Sequence, residues 1–179
     1  MTDLVSFDDI AHLFEDFEHT AWRLETQHGY ASDRSGAKWQ RWKAGENIGR
    51  YEPEQPWHAG IRAQTDAGKR FERVRLVDDP PTEGQRFLLA SGLGNVEAGE
   101  DIRNVYRTDA QRIGLPDYDF WLFDSRIVVR FAFGDDGATL GVYVAEDAET
   151  VVRACQVRDA AWHFATPTTE FQQQVRSTV

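Results

Sequence analysis

The sequence predicts a mixed α/β (or α+β) fold in which helices flank a β-sheet. Apolar and polar residues alternate from Phe71 to Val77, which predicts a strand that stops at two aspartates and two prolines. A helical pattern follows from about Thr82 to Ala98, and a second strand is predicted from Asp101 to Tyr106. A strand, a helix and a strand in this order predict a right-handed crossover within a mixed sheet covered by helices.

Residues 1 to 68 are predicted to form a mostly helical N-terminal part. Ser6 is suited to cap a first helix that runs to about Glu18, because its hydroxyl can accept a hydrogen bond from the first turn. A short, half-buried strand is expected from Thr20 to Thr26, where apolar and polar residues alternate. Two brief helices are expected at about residues 38 to 45 and 55 to 67, each ended by a glycine.

The α/β core is expected from residue 69 to 166. Its last elements are a helix after Asp147, at 148 to 164, and three strands, at 119 to 123, 126 to 133 and 139 to 144. Aspartate and glycine between these strands tolerate positive backbone angles, so the strands are expected to form a meander with tight turns. Residues 167 to 179 are expected to form a tail or a second helix, and the whole chain a single domain.

Composition narrows the class of protein. A chain of 179 residues with 41% hydrophobic residues can bury one substantial core, and its net charge of -10 opposes nonspecific binding to nucleic acid. A single cysteine excludes a disulfide framework. No apolar run reaches the roughly 18 residues that span a bilayer, and the N-terminus lacks a secretion-signal pattern. We therefore expect a cytoplasmic protein without a membrane partner.

Cofactor motifs are missing from the sequence. The five histidines are scattered without the spacing of metal ligands. The glycines at 92, 94 and 99 are not followed by the Lys-Ser/Thr of a phosphate loop, and no strand precedes them as a dinucleotide motif requires. We expect no metal and no cofactor.

Polar residues of the first strand form one candidate site. Strand alternation places His19, Arg23 and Glu25 on one face, where a histidine beside a carboxylate could do acid-base work. In the alternative, Arg23 and Glu25 pair with other polar residues while His19 caps the preceding helix. Asp124 follows another strand, and its carboxylate is expected to face a ligand or to bond backbone amides in a turn.

A second candidate site is the edge beyond the carboxyl ends of the strands, where ligands bind in open α/β sheets. Asp78, Asp79 and Arg107 would face this edge if their strands are parallel. Two basic clusters lie nearby, either as a face for an acidic partner or as solvated strand edges with local ion pairs. They consist of Lys69, Arg70, Arg73 and Arg75, and of Arg103, Arg107 and Arg112.

Four segments together resemble an uncharacterised actinomycete family, a domain of unknown function often encoded near helix-turn-helix regulators. They are His19 to Glu25, Arg73 to Val77, Asn95 to Arg103, and Asp119 to Asp124. The resemblance extends from Phe7 to Ala165. It implies kinship and, through the genomic neighbourhood, a regulatory role; it implies no established chemistry.

The strand order from Phe71 onward also resembles, more distantly, one half of a phospholipase-D-like domain. The resemblance implies that a His-x-Lys-x-x-x-x-Asp signature would end at Asp124, which puts Asp117 at the histidine position and Asp119 at the lysine position. Both catalytic residues are therefore absent. An aspartate in place of the lysine would repel a phosphodiester, so the signature chemistry is not expected.

Three functional hypotheses follow. The first is a noncatalytic regulatory or interaction module that binds a partner protein, such as a helix-turn-helix transcription regulator, or a small ligand. The second is an enzyme that acts on a small anionic substrate through a pocket of His19, Glu25, Glu100, Asp101 and Arg103. The third, which the charge disfavours, is direct nucleic-acid binding through Arg70, Arg73, Arg75 and Arg103. The candidate ligand- or partner-binding residues are His19, Arg23, Glu25, Arg75, Glu100, Asp101, Arg103, Asp119, Trp121 and Asp124.

Overall fold

A computed structural model of the chain describes residues 3–176, and these residues contain a seven-stranded mixed sheet with helices on both faces. The strands, in chain order, are β1 Thr20–Glu25, β2 Arg70–Val77, β3 Asp101–Tyr106, β4 Phe120–Phe123, β5 Ile127–Phe133, β6 Thr139–Ala145 and β7 Thr166–Pro167. The α-helices are α1 Leu13–Asp16, α2 Ala31–Arg34, α3 Ala37–Lys43, α4 Pro56–Asp66, α5 Glu83–Ala98, α6 Arg107–Arg112, α7 Ala148–Phe164 and α8 Thr168–Arg176. The predicted α/β class is confirmed.

The sheet has the spatial order β6-β5-β4-β1-β2-β3-β7. Strands β1, β2 and β3 are parallel to one another, and α5 connects β2 to β3 as the crossover pattern predicts. All the other strand pairs are antiparallel, so β4, β5 and β6 form the predicted meander. The carboxyl ends of the three parallel strands therefore meet at one edge of the sheet.

Strand β1 lies at the centre of this sheet, between β4 and β2. The expectation of a half-buried strand was wrong, because the sheet is covered on both faces at this point. Trp22 and Leu24 pack with α7 on one face, whereas Ala21 packs with α4 on the other. The N-terminal 68 residues thus supply the middle of the sheet as well as helices.

Helix boundaries follow the sequence pattern where the helices are long. Helix α7 begins after Asp147, whose side chain accepts a hydrogen bond from the Thr150 N–H, and α5 begins after Thr82 in a capping box with Gln85. The predicted single helix to Glu18 was wrong: Ser6 caps a 3-10 turn, Phe7–Ile10, and α1 follows separately. Helices α2 and α6 were missed, since segments of four and six residues are too short to show helical periodicity.

No helix within residues 3–176 combines the length and the apolar character needed to cross a membrane. Over the same residues, no group of three or more histidine, cysteine, aspartate and glutamate side chains is arranged to hold a metal ion. Cys155 is a free, partly buried thiol that packs beside the core on α7.

Candidate functional site

Six charged side chains meet beneath the sheet face that carries α4 and α5. We call them the arginine-carboxylate cluster: Arg23, Glu25, Arg73, Arg75, Glu100 and Asp119. The parallel register explains the meeting, because Arg23 lies beside Arg73 and Glu25 lies beside Arg75 in adjacent strands. Side chains two residues apart on a strand share a face, so all four point to the same side.

Glu25 bridges the two arginines of β2. Its Oε1 accepts a hydrogen bond from Arg73 Nη1 at 2.5 Å, and its Oε2 accepts one from Arg75 Nε at 2.6 Å. Arg73 also donates from Nε to Glu100 Oε1 at 2.7 Å, and Arg75 donates from Nη1 to the Leu88 carbonyl at 3.0 Å. These are charge-assisted bonds, the strong class of hydrogen bond.

The cluster is buried and electrically balanced. Glu25 is 3% exposed and Arg75 2% exposed, and the three arginines face three carboxylates. Burial would raise the pKa of Glu25, but the positive charges of Arg73, Arg75 and Arg23 outweigh it and hold that pKa below its usual value. Burial would lower the pKa of Arg73, but the negative charges of Glu100 and Glu25 outweigh it and raise that pKa. The charged states of Glu25 and Arg73 are therefore favoured.

A chain of neutral groups supports the cluster from α4 and α5. Asn95 Nδ2 donates to Glu100 Oε2 at 2.9 Å, and Asn95 Oδ1 lies 3.0 Å from His58 Nε2. His58 Nδ1 accepts the Glu52 backbone N–H at 3.0 Å, so the ring proton lies on Nε2 and is donated to Asn95. Burial lowers the pKa of His58, which keeps the ring neutral in this chain of bonds.

Arg23 connects the cluster to four aromatic side chains that we call the aromatic wall: Trp57, Trp121, Phe131 and Phe133. Its guanidinium carbon lies 4.5 Å from the ring centre of Phe131 and 5.5 Å from that of Trp121, within cation–π range. Arg23 Nη2 donates to Asp119 Oδ2 at 3.1 Å, and the Tyr30 hydroxyl donates to the same oxygen at 2.5 Å. Asp119 Oδ2 thus accepts hydrogen bonds from two side chains of the protein.

A cavity of about 650 Å³ opens above the cluster. Its polar lining includes Arg23, Glu25, Arg73 and Arg75 from the cluster, with Asp33 and Lys38. Its aromatic lining includes Trp57, Trp121, Phe131 and Phe133. A concave site lined by aromatic side chains and a few fixed polar groups is typical of small-molecule binding.

The loop after β1, which carries Tyr30 and leads to Asp33, is held in place at several points. The Thr26 N–H donates to Asp119 Oδ1 at 2.7 Å, and the Thr82 hydroxyl donates to the His28 carbonyl. Gly29, at φ +145°, lies against Gly84, where a Cβ would approach the Gly29 Cα to 2.6 Å. This close packing fixes one side of the cavity.

Asp33 is the cavity's acidic residue with an unsatisfied buried oxygen; among the described residues that line the cavity, Arg23 Nε and Trp121 Nε1 are also buried without a hydrogen-bond partner. Asp33 Oδ2 is buried and has no hydrogen-bond partner within the described residues. Burial, followed by the charge of Glu25, raises the pKa of Asp33 to about 6. A buried carboxylate oxygen without a hydrogen-bond partner costs stability, which makes Asp33 a candidate for a functional role.

We expect Asp33→Asn to stabilise the unliganded protein by about 1 to 2 kcal/mol at pH 7.5, because the variant has no charge to desolvate. The folded-state pKa of Asp33, about 6, lies above its ordinary value of 3.8. The cost of the ionised group is therefore present above pH 6, and it disappears as the pH falls from 6 toward 3.8. Urea unfolding at pH 7.5 and pH 4 measures both effects; equal stability of the two proteins at pH 7.5 would contradict this account.

The structure brings six of the candidate residues together: Arg23, Glu25, Arg75, Glu100, Asp119 and Trp121. It places His19 and Asp124 at the opposite end of β1, beside a different surface depression. The His19 side chain is 78% exposed. Asp124 accepts the backbone N–H groups of Glu18, His19 and Thr20 at 2.7 to 2.9 Å, so it serves as a turn carboxylate.

Asp101 and Arg103 also lie apart from the cluster. Arg103 lies over the ring of Trp162 at 3.8 Å, on the face of the sheet that α7 covers, and its Nη2 is 3.5 Å from Asp101. The residues proposed for an enzyme pocket are thus dispersed. The proposed nucleic-acid face is not formed either, because Arg73 and Arg75 are buried and neutralised while Arg70 is exposed elsewhere.

The carboxyl edge of the parallel strands holds the predicted Asp78 and Arg107 together. Arg107 Nε donates to Asp78 Oδ1 at 2.6 Å, and Asp78 Oδ2 lies 2.5 Å from His28 Nδ1. Burial would raise the pKa of Asp78, but hydrogen bonds from His28 and Arg107 lower it below the usual value. Gln85 Nε2 adds a third bond, so this carboxylate joins the loop after β1, helix α5 and helix α6 at the end of β2.

Comparison with protein families identifies the chain. A family model described as a domain of unknown function (DUF6879) matches residues 8–173. The chain belongs to this family. No curated protein matches the DUF6879 chain.

Solved structures add the fold relationship. NucT from Helicobacter pylori is similar to this DUF6879 chain with a TM-score of 0.52 and 9% sequence identity, over 89% of each chain. NucT has a phospholipase-D-like fold, and the DUF6879 chain shares that fold. At this identity the likeness shows architecture alone.

Proposed function

We propose that this DUF6879 chain is a noncatalytic binding domain, and that its small-molecule ligand occupies the cavity above the arginine-carboxylate cluster. The observation that carries the proposal is the cavity itself. Its volume of about 650 Å³ lies within the usual range for ligand sites, roughly 300 to 1,000 Å³. Buried guanidinium groups form one side and aromatic rings another, which is a combination suited to orient a small molecule.

The state of Glu25 and Asp119 supports binding without turnover, whereas the pKa of Asp33, raised to about 6, leaves that carboxylate able to exchange a proton, which the check for chemistry below addresses. A general base works best with a pKa near the operating pH, whereas the pKa of Glu25 is held below its usual value by three arginines. Asp119, at the predicted lysine position of the phospholipase-D signature, is occupied by Arg23 and Tyr30. The Ser91 hydroxyl on the cavity wall donates to the Leu88 carbonyl at 3.4 Å instead of to a base. A regulatory role with a protein partner, expected from the sequence, stays a prediction.

Blocking the cavity tests this proposal. Ser91→Phe would place a ring inside the cavity, and Ser91→Ala is the matched control that removes the hydroxyl without filling space. A library of small metabolites is screened by thermal unfolding against wild type and both variants. Ligands are expected to raise the melting temperature of wild type and Ser91→Ala but not of Ser91→Phe, since binding to the native state adds about 2.7 kcal/mol at 100 times Kd.

A second blocking variant, Thr139→Trp, places a large side chain at the exposed mouth of the cavity. It keeps the test valid if Ser91→Phe does not fold. The proposal fails if no library compound stabilises wild type, or if the stabilising compounds act equally on both blocked variants. Mass spectrometry of each ligand after incubation checks for chemistry; a converted ligand would show that the domain is an enzyme.

A further inference from the structure

From the cavity we infer a ligand class: a small zwitterion with an apolar, ring-bearing part, whose anionic group meets the arginines and whose N–H donors meet Asp33. The inference rests on the proposed function and narrows it. Three independent features of the cavity carry it, namely unused arginine nitrogens, an unpartnered carboxylate oxygen, and a balanced charge.

The arginines keep donors outside their own network. Arg73 uses Nε and Nη1, Arg75 uses Nε and Nη1, and Arg23 uses Nη2 in the bonds described above. None of these bonds uses Arg73 Nη2, Arg75 Nη2 or Arg23 Nη1. An arginine presents five N–H donors in a planar fork, which suits a carboxylate. An anionic ligand group can therefore be bound without breaking the internal ion pairs.

Asp33 requires a hydrogen-bond donor on the ligand, whereas the arginines require an acceptor. Asp33 lines the same cavity, and its Oδ2 is buried without a hydrogen-bond partner among residues 3–176. A carboxylate oxygen accepts hydrogen bonds only, so its complement on a ligand is a donor, best a cationic one. An ammonium group beside Asp33 would supply both the donor and a positive charge.

The balance of charge excludes a simple ion of either sign. The cluster pairs three arginines with three carboxylates, and the cavity adds Asp33 and Lys38, one of each sign. A plain anion such as phosphate would bring an unbalanced negative charge beside Glu25 and Asp33. A plain cation would meet the three guanidinium groups. A zwitterion leaves the cavity balanced, as burial of charge requires.

The aromatic wall indicates the chemistry of the ligand part that lies between its anionic and its cationic group. Trp57 and Trp121 meet edge to face with centroids 6.0 Å apart, and Phe131 and Phe133 stack at 5.8 Å. Arg23 already occupies the faces of Phe131 and Trp121, so Trp57 and Phe133 are the rings of this wall left for the ligand. Planar rings pack favourably against such side chains.

Calorimetric titration with matched probes tests the inference. The probes are L-phenylalanine, L-tyrosine and L-tryptophan, each beside its N-acetyl derivative, which lacks the cation, and its amide, which lacks the anion. We expect at least one free amino acid to bind wild type ten times or more tighter than both its derivatives. Asp33→Asn should erase the preference for the free amine over the N-acetyl form, and inorganic phosphate should not compete.

Each outcome separates the two proposals. Equal or tighter binding of the N-acetyl forms, or competition by phosphate, would overturn the zwitterion and leave an anion site in the same cavity. Failure of all nine probes, with library ligands still blocked by Ser91→Phe, would overturn the zwitterion alone. Failure of the probes and of the library together would overturn the binding cavity as well. Because Asp33→Asn is expected to stabilise the fold, its loss of binding cannot be attributed to unfolding.

Discussion

Replacing Glu25 with glutamine is expected to lower the free energy of unfolding by about 3 to 5 kcal/mol, because it leaves buried arginine charges without a partner. Glu25 is the carboxylate that Arg73 and Arg75 share, and its nearest donors lie 2.5 and 2.6 Å away. An amide can accept from one of them, but its NH2 group then faces the other guanidinium. Urea unfolding at pH 7 measures the loss.

The same carboxylate makes stability depend on pH in a predictable direction. The folded-state pKa of Glu25 lies below its ordinary value of 4.5, so its stabilisation is present above that pH and is lost as the pH falls below it. Wild type should therefore lose stability below pH 4.5 more steeply than Glu25→Gln does. The stability difference between the two proteins should shrink in acid.

Glu46→Gln is the matched control for this prediction. Glu46 accepts a hydrogen bond from Arg41 at 3.0 Å, but both side chains are exposed. Exposed ion pairs contribute little, so the urea midpoint should hardly move. If Glu25→Gln shifts the midpoint no more than Glu46→Gln does, Glu25 is not the electrostatic centre of the cluster.

Asp124→Ala is expected to cost about 2 to 3 kcal/mol of stability for two separate reasons. The substitution removes the acceptor of three backbone N–H groups, at Glu18, His19 and Thr20. It also places alanine at φ 51°, in the left-handed region that aspartate tolerates better. Thermal or urea unfolding of the purified variant measures the sum.

Asp124→Gly separates the two contributions. Glycine adopts positive φ without strain, so this variant keeps the turn and loses only the carboxylate. It should fall between wild type and Asp124→Ala in stability. A glycine variant as stable as wild type would show that the three amides need only water, and ligand binding in the distant cavity should be unchanged in both variants.

Alternation along the strands could place four of the six cluster residues, as two separate pairs. Alternation put Arg23 and Glu25 on one face of β1, and the same rule applied to Arg73-Val74-Arg75 puts both arginines on one face of β2. The sequence of one strand does not show which other strand pairs with it. A charged residue in an isolated strand is expected to be solvated, and only the parallel pairing of β1 with β2 turns these four into a buried set.

The remaining members of the site came from segments that carry no such pattern. Tyr30 and Asp33 lie on and just after a loop, and His58 and Asn95 come from two helices that are far apart in the sequence. Their roles depend on tertiary packing alone. One signal was present: a Cβ at Gly92 would lie 3.4 Å from Arg75 Nη1, so this glycine marks where α5 approaches the cluster closely.

Asp119 and Asp124 show how element length decides such a prediction. Both were candidate binding residues, yet the four residues of β4 separate them and carry them to opposite ends of the strand. Asp119 therefore joins the arginine-carboxylate cluster while Asp124 anchors the turn to the N-terminal segment. Two identical side chains five residues apart consequently have different partners: a buried arginine for Asp119 and backbone amides for Asp124.

The central position of β1 also sets the order in which the molecule can assemble during synthesis. Leu24 pairs with Phe120 on one side and with Val74 on the other, so the strand made first waits for partners made much later. Pairings so distant along the chain are slow to form. A nascent chain that has not yet reached β4 holds Arg23 without Asp119, and the ion pairs of the cluster are completed only when the last of these strands docks.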